Sequence, residues 1–142
     1  MRWLLVAWLS LPVCATDLAA VRQEPNLQRR SQLATDYAGV ALDTARTEYQ
    51  AGNMEKATVA INEAGDAAEL AYQALVETGK EARRDPKYFK RAELATRQLL
   101  RRIEGLAESM SYRDRPLAEK LRDRVSAVHD DLVNALMSKK RK

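Results

Sequence analysis

Apolar residues recur along this chain in steps of three and four. Met54, Ala57, Ile61, Ala64, Ala68, Ala71 and Leu75 form one unbroken series. Phe89, Ala92, Thr96, Leu99, Ile103, Leu106 and Met110 form a second, and Ala118, Leu121, Val125, Val128, Leu132 and Ala135 a third. This spacing lays a single apolar seam along a helix, whereas a half-buried strand would alternate residue by residue. A less regular series has the same period: Ala34, Tyr37, Ala38, Ala41, Ala45 and Tyr49, flanked by Leu33 and Val40. The four series predict helices over roughly 27–51, 54–78, 86–109 and 115–137.

The residues between the series supply the stops and starts. Asn26 precedes the first helix as a capping residue. In the hinge Tyr49-Gln50-Ala51-Gly52-Asn53-Met54, Gly52 suits the left-handed position that ends a helix, and Asn53 can cap the next. Gly79 is the second stop. Residues 80–84 form a short basic linker. Asp85-Pro86, then Asp114 with Pro116, are starts in which a capping side chain is followed by proline in the first turn. Gly65 falls inside a helix, where it costs about 1 kcal/mol relative to alanine.

Helices of about 25 residues are about 37 Å long. Joined by short connections, they set sequence neighbours antiparallel. The expectation is an all-α fold: an up-down-up-down four-helix bundle made of two long antiparallel helical hairpins, spanning 27–137. The alternatives are two long hairpins packed less regularly, or hairpins swapped between the two chains of a homodimer.

The ends of the chain read differently. Arg2, the apolar run Trp3 to Leu9, Pro12 and the Val13-Cys14-Ala15 site make residues 1–15 a secretory signal peptide cleaved after Ala15. The run is too short for a permanent membrane span, which needs about 20 residues. Cys14 at the end of Leu11-Pro12-Val13-Cys14 gives a competing lipoprotein reading, with Val13 where such signals carry a small residue. The expected location is secreted or periplasmic. Residues 16–26 are expected to be a flexible arm with one helical turn, Leu18 and Val21 on one side, ended by Pro25. Residues 138–142 are a solvated basic tail.

Composition removes several chemistries. The only cysteine and both tryptophans lie within residues 1–15, so the mature chain has no disulfide, thiol nucleophile or cysteine metal site. His129 is the one histidine. Position 126 is Ser and 133 is Val, so there is no Glu-x-x-His ligand pair. Asp130 is adjacent to His129, but neighbouring helix residues diverge by about 100°. His129 is therefore read as structural, solvated or partly buried. There is no phosphate-cradling glycine loop, haem-attachment motif or nucleophile elbow. The expectation is a non-enzymatic protein with no cofactor and no metal. Tyr37, Tyr49, Tyr72, Tyr88, Tyr112 and Phe89 are read as bundle edges and layers.

Charge is uneven along the chain. Residues 16–79 carry five Lys or Arg against ten Asp or Glu, and residues 80–142 carry eighteen against ten. Such asymmetry points to an anionic partner, or to attraction between the two halves. In an up-down bundle, Arg29, Arg30, Lys80, Arg83, Arg84, Lys87, Lys90, Arg91, Lys139, Lys140, Arg141 and Lys142 would gather at one end. They are the candidate anion- or partner-binding residues. Nucleic acid is not the expected partner, because no aromatic residues interleave with a basic surface.

Around the hinge, Ala45, Tyr49, Gly52, Asn53, Ala57 and Ala64 give residues 42–64 a resemblance to a tetratricopeptide-type helical hairpin. The resemblance implies a helical hairpin with a tight turn that binds protein. The likeness stops there: the helices are about twice that family's length, and no second copy follows at its period of about 34 residues. The functional expectation is an exported helical binding or scaffold module whose partner is a protein or an anionic envelope component. Alternatives are a peripheral envelope- or membrane-associated protein held by the basic end, and a periplasmic chaperone-like protein.

Overall fold

The structure is a computed structural model that describes residues 17–138. The expected signal peptide, the alternative lipidation site at Cys14 and the candidate cations Lys139, Lys140, Arg141 and Lys142 lie outside the described residues. All regular structure within them is helical: α1 (Leu18–Arg22), α2 (Leu27–Gln50), α3 (Met54–Glu77), α4 (Lys87–Ser109) and α5 (Arg115–Met137).

The heptad series become the buried faces. Ala57, Ile61, Ala64, Ala68, Ala71 and Leu75 of α3 are buried, and so are all seven residues of the Phe89–Met110 series. The helix stops follow from backbone chemistry. At the hinge, the Asn53 N–H reaches Glu48 O (2.9 Å) and the Gly52 N–H reaches Tyr49 O (3.0 Å). This pair of bonds closes a helix when the first of the two donor residues along the chain is left-handed. Gly52 supplies that conformation at φ +80°, and Gly79 does the same at φ +67°.

Capping differs from the expectation at three of four sites. Asn26 caps α2, accepting from the Arg29 N–H at 3.0 Å. Asn53, Asp85 and Asp114 do not cap. Asn53 donates to Glu48 Oε2 (2.7 Å), Asp85 pairs with Lys80 (3.2 Å), and Asp114 accepts from Tyr49 and Ser111. A side chain that finds a charged or tertiary partner is no longer available to the helix terminus.

The segment 16–26, expected to be a flexible arm, contains a docked fifth helix. α1 packs on α2 and α3 with Leu18 buried and Val21 only 1% exposed. The reason is the three-residue step between two apolar side chains, which puts both on one face of a single turn. The four-helix count therefore does not hold; the all-helical class does.

Direction along the chain alternates, and the side contacts between hairpins follow from it. Gln32 meets Arg91, and Asp43 meets Arg102. Both pairs are 59 residues apart in the chain, so α2 and α4 run the same way in register. Arg124 of α5 reaches Asp66 and Glu69 of α3, and further on Leu75 shares a cluster with Val128 and Leu132, so these also run parallel. One hairpin thus lies on the other with like-directed helices side by side, and the backbones of α2 and α5 stay more than 8 Å apart. α3 alone contacts all four other helices. Its seam is largely alanine, which permits close approach on several sides.

The core falls into two clusters. The larger joins α1, α2, α3, α4 and α5 through residues such as Ala38, Ala64, Ile103 and Leu121. A smaller one, Leu75, Ala82, Phe89, Ala92, Val128 and Leu132, sits near one end and includes no residue of α2.

Candidate functional site

The start of α2, the end of α3, the start of α4 and the end of α5 meet at one end of the molecule. Arg30 Nη1 reaches Glu77 Oε2 at 3.4 Å, joining the first two. Arg91 Nη1 donates to Gln32 Oε1 at 3.1 Å, joining α4 to α2. The linker after Gly79 is a folded turn: the N–H groups of Arg84 and Asp85 both donate to Glu81 O. Ala82 is its anchor, buried in the smaller core cluster.

An open cleft of about 730 Å³ lies between this turn, the end of α3 and the end of α5. Its apolar surface comes from Tyr72, Val76, Ala82, Phe89 and Ala135. Lys80, Arg83 and Arg84 line the same cleft, together with Glu81 and Ser138. Burial pushes the Tyr72 phenol above its ordinary pKa, and the nearby Asp131 carboxylate adds to this. The phenol therefore stays protonated as a hydrogen-bond donor beside the cleft. Ser138, the last of the described residues, lies at the cleft wall.

The structure sorts the candidate cations. Arg30 is turned inward, its Nε donating to Glu24 O at 2.8 Å with its side chain 17% exposed. It fixes the approach of α1 to α2. Arg91 is held on Gln32. Arg29 pairs with Glu24 (3.6 Å), Lys80 with Asp85 (3.2 Å) and Arg84 with Glu81 (3.2 Å), all with well-exposed cations. Exposed pairs of this kind are worth at most about 1 kcal/mol and re-partner readily. Lys87 lies 5.5 Å from the centre of the Tyr88 ring. Arg83 and Lys90 belong to no ion pair or cation–π contact among the described residues.

Sequence reasoning missed three polar clusters whose members lie far apart in the chain. In the first, Glu93 of α4 is buried, and its Oε1 meets His129 Nε2 of α5 at 2.9 Å and Arg97 Nε at 3.0 Å. Burial works to raise the carboxyl pKa, but the hydrogen bonds and charge of Arg97 and His129 outweigh it and hold the group below the usual carboxylate range. The Glu93-x-x-x-Arg97 spacing was visible as a favourable helix pair. His129 was read only against its own helix, and its partner is on the neighbouring one. Its Nδ1 side faces Asp130 at 3.8 Å, so both ring nitrogens look onto carboxylates.

The second cluster spans the hairpins. The Arg124 guanidinium donates from Nε to Glu69 Oε1 (2.9 Å) and from Nη2 to Asp66 Oδ1 (2.7 Å). Glu69, more than burial or Asp66, sets the raised pKa of Arg124. A Cβ at Gly65 would come within 2.6 Å of Arg124 Cζ. Gly65, which looked like a weak point in the helix, is the floor over which this arginine crosses α3. The third cluster closes the opposite end: Tyr49 Oη donates to Asp114 Oδ2 (3.1 Å) and accepts from the Ser111 N–H (2.9 Å).

A further concavity lies between α2 and α3, lined by Leu33, Tyr37, Val40, Ala41, Thr44 and Ala60. Val40, expected on the flank of a buried face, is 62% exposed there. Among the described residues, no three His, Asp or Glu side chains are grouped as a metal site would need, and no helix is long and apolar enough to cross a membrane. Comparison with family models, curated proteins and solved structures finds no match to this chain.

Proposed function

We propose that this chain is an exported, non-catalytic helical binding module, built as a bundle of α2–α5 braced by α1, whose partner docks at the end that carries the 79–84 turn. The observation that carries this reading is the cleft beside that turn, where apolar side chains share one concavity with Lys80, Arg83 and Arg84. Lys87 and Lys90 follow in the first turn of α4, and in the sequence Lys139, Lys140, Arg141 and Lys142 come after Ser138. The non-catalytic part is supported by His129, whose Nε2 is engaged by the buried Glu93 in a structural cluster with Arg97 and not at the cleft. Stacking of one helix pair on another is also how α-solenoid proteins build binding surfaces, in keeping with a protein-binding hairpin at 42–64.

The test is association with the secreted and envelope fractions. Arg83→Glu, Arg84→Glu and Lys90→Glu introduced together abolish it, while Arg113→Glu at the opposite end leaves it intact. Equal association of both variants sinks the proposal.

A second reading places this end on an anionic envelope surface. Val76 and Met137 are exposed, at 54% and 75%, at the same end as the cations. Apolar side chains beside Lys and Arg are what interfacial attachment uses. Here binding falls with added salt, at about 1 kcal/mol per Lys or Arg near the surface.

A further inference from the structure

We infer that the cleft beside the 79–84 turn is a binding site for a single-chain anionic amphiphile, an alkyl chain ending in a carboxylate or similar head. This rests on the reading of the basic end as the binding face, and names the chemistry it takes. Three features of the cleft lead to it.

The first is the composition of its walls. The helices contribute the hydrocarbon and ring faces of Tyr72, Val76, Phe89 and Ala135, and the turn contributes Ala82 with all the lining charge: the cations Lys80, Arg83 and Arg84 against one acid, Glu81, which is paired with Arg84. The charged lining thus comes from one side, as a ligand with an apolar body and a charged head requires. A folded polyanion would leave the apolar wall unused, and an uncharged lipid would leave the cations unused.

The second is charge. Arg83 makes no ion pair among the described residues, while Lys80 and Arg84 hold theirs with Asp85 and Glu81 in exposed positions. A head group at Arg83 gains a charge-assisted contact without breaking a buried pair. Tyr72 and Ser138 add hydroxyl donors at the wall.

The third is size. About 730 Å³ lies within the range of small-molecule sites and suits one chain in a cleft, not a patch of bilayer. The smaller core cluster stands directly behind, through Ala82 and Phe89. An alkyl chain entering the cleft therefore extends an existing apolar contact.

The experiment is an amide-resolved NMR titration of the full chain with sodium decanoate below its micelle concentration. Decyltrimethylammonium and acetate are parallel arms. Decanoate shifts the amides of Gly79, Ala82, Arg83 and Ala135, and the other two probes do not. Ala135→Trp, which fills the cleft without changing charge, removes the shifts. Arg83→Glu weakens binding about tenfold, the loss of one charged contact. Circular dichroism confirms that both variants remain helical.

Equal effects of acetate overturn the inference in favour of a bare anion site, and equal effects of decyltrimethylammonium overturn it in favour of unselective apolar contact. Undiminished binding by Ala135→Trp places the ligand elsewhere. Phosphatidylglycerol vesicles that bind Ala135→Trp as tightly as wild type, while decanoate leaves the cleft amides unmoved, assign the end to a membrane surface. If decanoate fails but the charge-reversed triple variant still loses envelope association, the inference falls and the binding-module reading stands.

Discussion

Gly65 shows how one residue can be misjudged from propensity alone. In isolation it lowers helix stability by about 1 kcal/mol relative to alanine. In the fold it admits the Arg124 guanidinium to Asp66 and Glu69 across the hairpin interface. Gly65→Ala is therefore expected to gain little or to destabilise the wild type, yet to stabilise an Arg124→Ala background by about 1 kcal/mol. Urea denaturation of the four proteins measures the coupling; an equal gain in both backgrounds would remove Arg124 from the explanation. Tyr37 gives a pH signature. Burial first, then its hydrogen bond to Glu63 (2.7 Å), pushes its pKa from 10.0 up to about 12. A raised folded-state value means that the protonated phenol stabilises the fold fully below about pH 10, and that this is lost as pH rises through about 12. Stability in urea is expected to fall more steeply over that window in wild type than in Tyr37→Phe. Parallel profiles would show that Tyr37 is not the titrating group.

At the scale of elements, the helices and their stops were legible because both are local. A seam with steps of three and four fixes which face is buried, and Gly52 and Gly79 fix where α2 and α3 end. What failed was capping by Asn53, Asp85 and Asp114, since each was claimed by a competing partner: Glu48 and Lys80 five residues back in the chain, and Tyr49 from the other hairpin. A seam also does not say which helix it will face, so the parallel pairing of α2 with α4 and of α3 with α5 could not be read. The pairing of His129 with Glu93 was hidden for the same reason. α1 was half legible. The Leu18–Val21 spacing was seen, but its docking depends on a groove formed by two later helices. Val21→Ala is expected to cost on the order of 1–2 kcal/mol by loss of buried methyl groups. No change in the denaturation midpoint would return this segment to a loose arm.

For the whole molecule, the uneven charge of the two halves is partly consumed within the fold. The ion pairs between hairpins, Asp43 with Arg102 and Asp66 and Glu69 with Arg124, put every acid on the first hairpin and every base on the second. Attraction between halves, one of two explanations offered by the sequence, is thus realised, and it lowers the charge left for a partner. At the end with the 79–84 turn, Arg83 and Lys90 stay outside any ion pair among the described residues, as Arg101, Arg113, Arg115 and Lys120 do elsewhere, and there the cleft supplies apolar contact beside the free cations. The opposite end is closed by Tyr49, Ser111 and Asp114 and presents Tyr112, which is 90% exposed. The most direct measurement is site-specific photocrosslinking in the cell envelope, with the reactive group placed at Val76, an exposed cleft residue, in one variant and at Tyr112 in another. A discrete adduct is expected from position 76 and none from position 112; an adduct from position 112 alone would contradict docking at the cleft end.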